Sequence, residues 1–181
     1  MAELNLFMYP TWRRSDGAAW KKVLSVLVTK QVIASTGEGE EEGEIWFAPG
    51  KRSSYLLKAG TDPAFEDCRI HNGNPYFIPD GDTGEFGCSC PACHTPLDDV
   101  LTAEAIVDFN EADDEDDRQK CPKCKAILEV EKLTCRIPTA LVPSFLCFIA
   151  VASPDPNPEL VKALEEASGC PWKWLTEKVE L

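Results

Sequence analysis

Apolar and polar positions alternate along Leu4-Asn-Leu-Phe-Met-Tyr9, with Leu4, Leu6 and Met8 on one side of an extended chain. That period of two predicts a strand, which Pro10 ends. The period then lengthens. Trp20, Val23, Leu24, Leu27 and Val28 recur at helical spacing while Lys21, Lys22 and Lys30 fall elsewhere, so a helix is predicted, with Ser15 or Asp16 as its cap. Short strands are expected at Glu44–Ala48 and, more weakly, at Ser54–Lys58. From Gly60 to Gly87 the chain is rich in Gly, Pro, Asn and Asp, which predicts irregular loops with one short strand near Tyr76–Ile78.

The C-terminal pattern is sharper. Ser144–Ala152 is almost continuously apolar and predicts a central strand covered on both faces. A helix should follow. Asn157 can cap it, Pro158 suits its first position, Leu160, Val161, Leu164 and Ala167 form its buried side, and Gly169 follows its last turn. Trp172–Leu181 reads as a closing strand. Each end of the chain is therefore strand–helix–strand. The predicted class is α+β, with helices on one face of a sheet, and a ferredoxin-like arrangement is its simplest form.

Charge adds a second layer. The net charge is −13, but 12 of the 31 acids lie in two stretches, GEGEEEGE (37–44) and DFNEADDEDD (108–117). The remaining 19 acids nearly balance 18 bases. The expectation is two solvated, partly disordered acidic loops, at 37–44 and 108–117, one of which can meet a basic protein. Nucleic acid is disfavoured, because phosphate neutralisation needs clustered Lys and Arg. No apolar run is long enough for a membrane-spanning helix. The order of charges in the first 14 residues does not suit a secretory signal, so the expected compartment is cytoplasmic, with reduced thiols. Nine cysteines there suggest metal or catalysis before disulfides.

The cysteines carry the chemistry. Cys90-Pro-Ala-Cys-His-Thr-Pro-Leu97 and Cys121-Pro-Lys-Cys-Lys-Ala-Ile-Leu128 share the format C-P-x-C-x-x-x-L. A CPxC turn can aim two sulfurs to one side of a tight loop. Two such turns supply four thiolates, the closed tetrahedral set of structural zinc (Zn2+). Cys90-Pro-Ala-Cys-His94 also has the CxxCH form of haem attachment, but the second pair favours a four-thiolate site. Cys88 and His94 could each compete as ligands. Over about 86–137 the chain resembles a zinc ribbon. The resemblance implies two β-hairpins pinched by one metal on Cys90, Cys93, Cys121 and Cys124, inserted into a core domain of 1–85 and 138–181. Here His94 and Lys125 stand where common knuckles place glycine. The same departure weakens a resemblance to rubredoxin, an iron carrier.

Other residues give less. Cys147 reads as a core residue, Cys135 as part of a ribbon strand, and Cys68 and Cys170 have no assignment. His71 reads as a loop residue. Asp98, Asp99, Glu104 and Asp108 read as a solvated helix face rather than a carboxylate cluster. Trp172 and Trp174 can lie on one strand face, for packing or as a binding anchor. No phosphate loop or HExxH is present, and His71, Asp80, Asp82 and Glu85 have no catalytic spacing. The favoured function is therefore a non-enzymatic, zinc-containing protein-binding module, one form of which is an immunity or inhibitor protein for a basic toxin. The alternatives are a nucleic-acid or transcription-linked zinc-ribbon accessory protein, using Lys120, Lys123, Lys125, Lys132 and Arg136, and an iron or thiol redox protein. An enzyme is the remaining class.

Overall fold

The computed structural model describes residues 2–11, 17–34, 40–41, 44–60, 62–79, 81–82, 86–111 and 119–180. Its elements in chain order are β1 (Ala2–Pro10), α1 (Gly17–Thr29), β2 (Glu40–Glu41), β3 (Glu44–Phe47), β4 (Cys68–Pro79), β5 (Gly81–Asp82), α2 (Asp99–Glu111), β6 (Thr139–Phe148), α3 (Pro158–Ser168) and β7 (Trp172–Glu180). The protein is thus a mixed helix-and-sheet molecule. It divides into two compact units, 1–74 with 143–181, and 75–142.

In the first unit the sheet runs β2-β3-β4-β6-β1-β7, and β1 lies antiparallel to both β6 and β7. Leu6 faces Phe148 and Met8 faces Leu146 across the β1–β6 pair. All four are fully buried, together with Trp20, Val23 and Leu27 of α1 and Leu160 and Leu164 of α3. Here the two sequence periods meet. The period of two on the strands and the helical stripes of α1 and α3 bury one another, which removes apolar surface from water. The alternate positions Phe7, Tyr9, Phe145 and Cys147 are also buried. The second half of β6 is therefore covered on both sides, as its unbroken apolar run predicted. That strand ends at Phe148 rather than at Ala152, and Ala150, with φ +56°, turns the chain away.

Helix α3 has both expected ends. The Asn157 side chain accepts a hydrogen bond from the Glu159 N–H at 2.9 Å. Gly169 adopts φ +75° and its N–H reaches the Glu165 carbonyl at 2.8 Å. A Cβ at Gly169 would meet nothing within 4 Å, so backbone conformation, not space, requires glycine there. The Ser15 and Asp16 caps expected for α1 lie outside the described residues. Glu40 pairs with Ile45 and Glu41 with Glu44, so the glutamate-glycine run includes a hairpin. Residues 37–39 and 42–43 of it are outside the described set.

Two local expectations fail. Ser53–Leu56 is a 3-10 turn, not a strand. The Ser54 N–H reaches the Asp62 carboxylate at 2.6 Å and the Ser53 hydroxyl donates to it at 3.0 Å; these contacts, the Ser54 N–H first, hold Asp62 below its usual pKa. The region 60–87 is not mainly loop, because β4 extends through Cys68–Pro79. Strand pairing with β3, from Phe47 against Cys68 to Glu44 against His71, overrides the weak local propensity of its sequence. His71 is accordingly a strand residue, its ring stacked on Phe145 at 4.9 Å.

The second unit is built around sulfur. Phe77, Phe86, Leu97, Ala105, Ile106, Leu128 and Val130 form one buried cluster with Cys88, Cys90 and Cys121. Leu97 and Leu128, the last residues of the two repeats, are both in it. Helix α2 lies between the two repeats in the chain. Asp98 caps it by accepting the Val100 N–H at 3.0 Å. The Asn110 amide accepts from the Phe77 N–H at 2.8 Å and donates to the Phe77 carbonyl at 3.1 Å, which ties the helix to the end of β4. Residues 108–111 of the acidic run form the last turn of α2, not a loop; 112–117 lie outside the described residues.

Candidate metal centre

The two repeats fold alike, and their hydrogen bonds repeat with them. The His94 N–H bonds to the Cys90 carbonyl and the Lys125 N–H to the Cys121 carbonyl, each at 2.9 Å. The Cys90 N–H returns to the Thr95 carbonyl and the Cys121 N–H to the Ala126 carbonyl, again at 2.9 Å. Closing each turn needs a residue in the left-handed region right after the second cysteine. His94 has φ +55° and Lys125 φ +63°. The knuckle geometry therefore persists without glycine, at a cost of about 1 kcal/mol for each position. The turn uses the His94 backbone, and the His94 imidazole is not among the clustered ligand atoms.

The turns aim their sulfurs at one point. The Sγ atoms of Cys90, Cys93, Cys121 and Cys124 all lie within 4.8 Å of one another. Cys90 to Cys124 and Cys93 to Cys121 are each 3.8 Å. A regular tetrahedron with metal–sulfur bonds of about 2.3 Å has edges of about 3.8 Å, so the donor set and its spacing suit a tetrahedrally bound ion. Cys90 and Cys121 are buried, Cys93 is half-buried and Cys124 is exposed, so the site has one sulfur toward solvent.

The thiols perturb one another. Hydrogen bonds from the Thr95 hydroxyl and then from its N–H hold the Cys93 thiol down to about 6. Backbone hydrogen bonds, first from Cys124, also lower Cys121. Cys124 is pushed up to about 11: the Ala126 N–H favours its thiolate, but desolvation and the other three sulfurs outweigh that. Four sulfurs this close resist sharing four negative charges, and a bound dication removes that conflict.

Cys88 is not free to join the set. It forms a disulfide with Cys135, 47 residues away. The expectation that metal or catalysis accounts for the cysteines before disulfides fails at this pair. What joins the two is strand register: Ser89 bridges Thr134, with the Ser89 N–H on the Thr134 carbonyl at 3.0 Å, and this puts the flanking residues Cys88 and Cys135 opposite each other. All four clustered cysteines lie inside the loop so closed. In the chain-entropy description a loop of that length is worth about 4 kcal/mol to the cross-linked fold.

The remaining residues take structural places. Cys147 and Cys68 are buried and Cys170 is half-buried, and none of the three is in a disulfide. Asp98 caps α2, Asp99 accepts the Gly87 N–H at 3.1 Å, Asp108 accepts from the Gln119 side chain at 3.0 Å, and Glu104 is exposed. They do not converge as a carboxylate cluster. Trp172 is buried and meets Trp20 edge-on at 6.1 Å. Trp174 is 44% exposed and lines a groove of about 310 Å³ with Lys58, Pro156, Val161 and Lys162. Trp12, Asp80 and Glu85 lie outside the described residues. No described helix is long and apolar enough to cross a membrane. No protein-family profile, curated protein or solved structure matches this chain.

Proposed function

We propose that Cys90, Cys93, Cys121 and Cys124 hold one zinc ion as a closed structural site, and that the chain is a non-catalytic module that binds a basic protein. The observation that carries the first part is the pair of 3.8 Å sulfur separations within a four-cysteine cluster. Zinc takes four thiolates without a redox role, and four protein ligands leave no coordination position for water or substrate. When bound, the ion supplies cross-linking of the two knuckles and neutralisation of their thiolates. The chain's own residues do the rest: Thr95 and the turn amides stabilise the sulfur charge, while Leu97 and Leu128 exclude water beneath it. The ribbon-like knuckles fit this reading. The second crossover supports a ferredoxin-like core, since α3 joins β6 to β7 with β1 between them, whereas α1 leads from β1 to the β2–β3 hairpin at the far edge of the sheet.

Two features support a basic protein partner. The acids are concentrated in 37–44 and 108–117. On α2, which leads into the second stretch, Val100 and Val107 are 67% and 48% exposed on the same face as exposed Glu104. Apolar residues beside carboxylates suit a partner that offers both apolar and cationic groups. An immunity or inhibitor protein masking a basic toxin is the concrete form of this reading. The test is affinity capture from the native host with the full chain, in parallel with a Val100→Lys, Val107→Lys variant. A stoichiometric basic protein that the variant fails to retain is the expected result. Recovery of chaperones alone, or steeply salt-dependent binding to nucleic acid, would sink the reading.

A further inference from the structure

The disulfide and the four-cysteine cluster occupy one piece of chain, and their placement links them. Cys88 is two residues before Cys90, and its carbonyl accepts the Leu97 N–H at 2.9 Å, closing the base of the first knuckle. Cys135 follows Thr134, which is paired with Ser89 beside that knuckle and comes after the second knuckle in sequence. The bridge therefore encloses every clustered thiol in one covalent loop, with Cys90 at one end and Cys124 toward the other. Opening the bridge lets the metal-free chain drift apart, so gathering four sulfurs around an ion then costs more entropy.

We propose that the Cys88–Cys135 bridge is a thiol-responsive control on metal retention: closed, it pre-assembles the four-cysteine site; reduced, it weakens metal binding. The inference rests on the zinc-site reading given above. Cys88 is 1% exposed whereas Cys135 is half-buried, so an external thiolate, such as that of a glutathione-like thiol, attacks the Cys135 sulfur. The S–S bond breaks, Cys88 leaves as a thiolate and takes a proton, and a mixed disulfide forms on Cys135. A second external thiol attacks the external sulfur of that mixed disulfide. It releases the Cys135 thiol and an external disulfide. Two external thiols are thus oxidised, and one bridge is reduced to two cysteines by two electrons and two protons. Linkage makes the coupling reciprocal: bound zinc favours the closed bridge by the same factor as the closed bridge favours zinc.

The experiment is a zinc titration of the full-length protein against a chromophoric chelator, run anaerobically. It compares the protein with the bridge closed, the same protein after glutathione reduction and removal of the reductant, and a Cys88→Ser, Cys135→Ser variant. Alkylation and mass measurement of the zinc-loaded protein confirm the bridge state. The expected result is roughly ten- to a thousandfold weaker zinc binding in both opened forms. If the double variant does not fold, the reduced wild-type chain still gives the comparison. A matching shift of the bridge's thiol–disulfide equilibrium on adding zinc is the second expected readout. Equal or tighter zinc binding after reduction overturns the control while leaving the zinc site intact. Failure of the closed form to bind zinc at all overturns both, and so separates the two readings.

Discussion

At the centre of the sheet-and-helix unit are Leu27, Phe65, Phe148 and Leu164; at the centre of the other unit, beside Leu97 and Leu128, are Cys90, Cys121 and the Cys88 half of a disulfide. The first unit brings two helices and a broad sheet to one hydrocarbon core, with aromatic pairs such as Phe65 on Phe148 at 5.0 Å. Residues 75–142 have less chain with which to enclose a core. Units of that size rarely draw more than about 3–5 kcal/mol from apolar burial and commonly rely on metals or disulfides. Each unit therefore draws its stability from a different source and should feel a different perturbation.

Removing the metal should separate the two units most strongly. Ligation by structural zinc is worth about 10–16 kcal/mol in small thiolate sites near neutral pH. Chelation, or Cys121→Ser, should therefore abolish amide protection among the described residues of 75–142 while the buried amides of α3 and β6 in 143–148 keep theirs. Hydrogen exchange read by segment checks this, and simultaneous loss of protection in both units would mean that they unfold as one. Acid should act in the same direction. The Cys93 thiol, held down to about 6, is a thiolate at neutral pH. Below that value the ion must displace its proton as well. Zinc affinity should therefore fall with decreasing pH, and more steeply below about pH 6, which a chelator competition across pH 5–8 would reveal.

Next in size is the hydrocarbon core. Leu164→Ala removes a fully buried side chain and should cost about 2–5 kcal/mol, read as a lower denaturation midpoint of the first unit with unchanged metal stoichiometry. Loss of metal in that variant would mean the units are not energetically separable. Asn157→Ala removes the α3 cap and should cost about 1 kcal/mol by urea titration.

The smallest expected effect has the opposite sign. His94→Gly and Lys125→Gly relieve left-handed backbone conformations, offset by the greater freedom glycine gives the unfolded chain. Each should leave stability unchanged or raise it by up to about 1 kcal/mol. A loss of metal affinity in His94→Gly would instead give the imidazole a place at the site.

How far the sequence could be read follows the range of each interaction. Helix α3 was legible because its cap, its apolar stripe and its terminating glycine all lie within 13 residues. The knuckles were legible for the same reason: each is a local turn, and the repeated format announces that the two act together. Strand β4 was not, because Asn72, Gly73, Asn74 and Pro75 argue locally against a strand, and its partners lie elsewhere in the chain. The turn at Ser53–Leu56 depends on Asp62. The Cys88–Cys135 bridge depends on the register of Ser89 with Thr134, which no local pattern encodes.

We propose above that the paired knuckles hold a structural zinc ion. Elemental analysis together with an ultraviolet–visible spectrum, on full-length protein purified without added metal, tests it most directly. About one zinc per chain, the complement of a four-thiolate site, and a colourless solution are expected. Iron with visible thiolate-to-metal bands, a haem spectrum, or a metal-free chain with four alkylatable knuckle cysteines would contradict it.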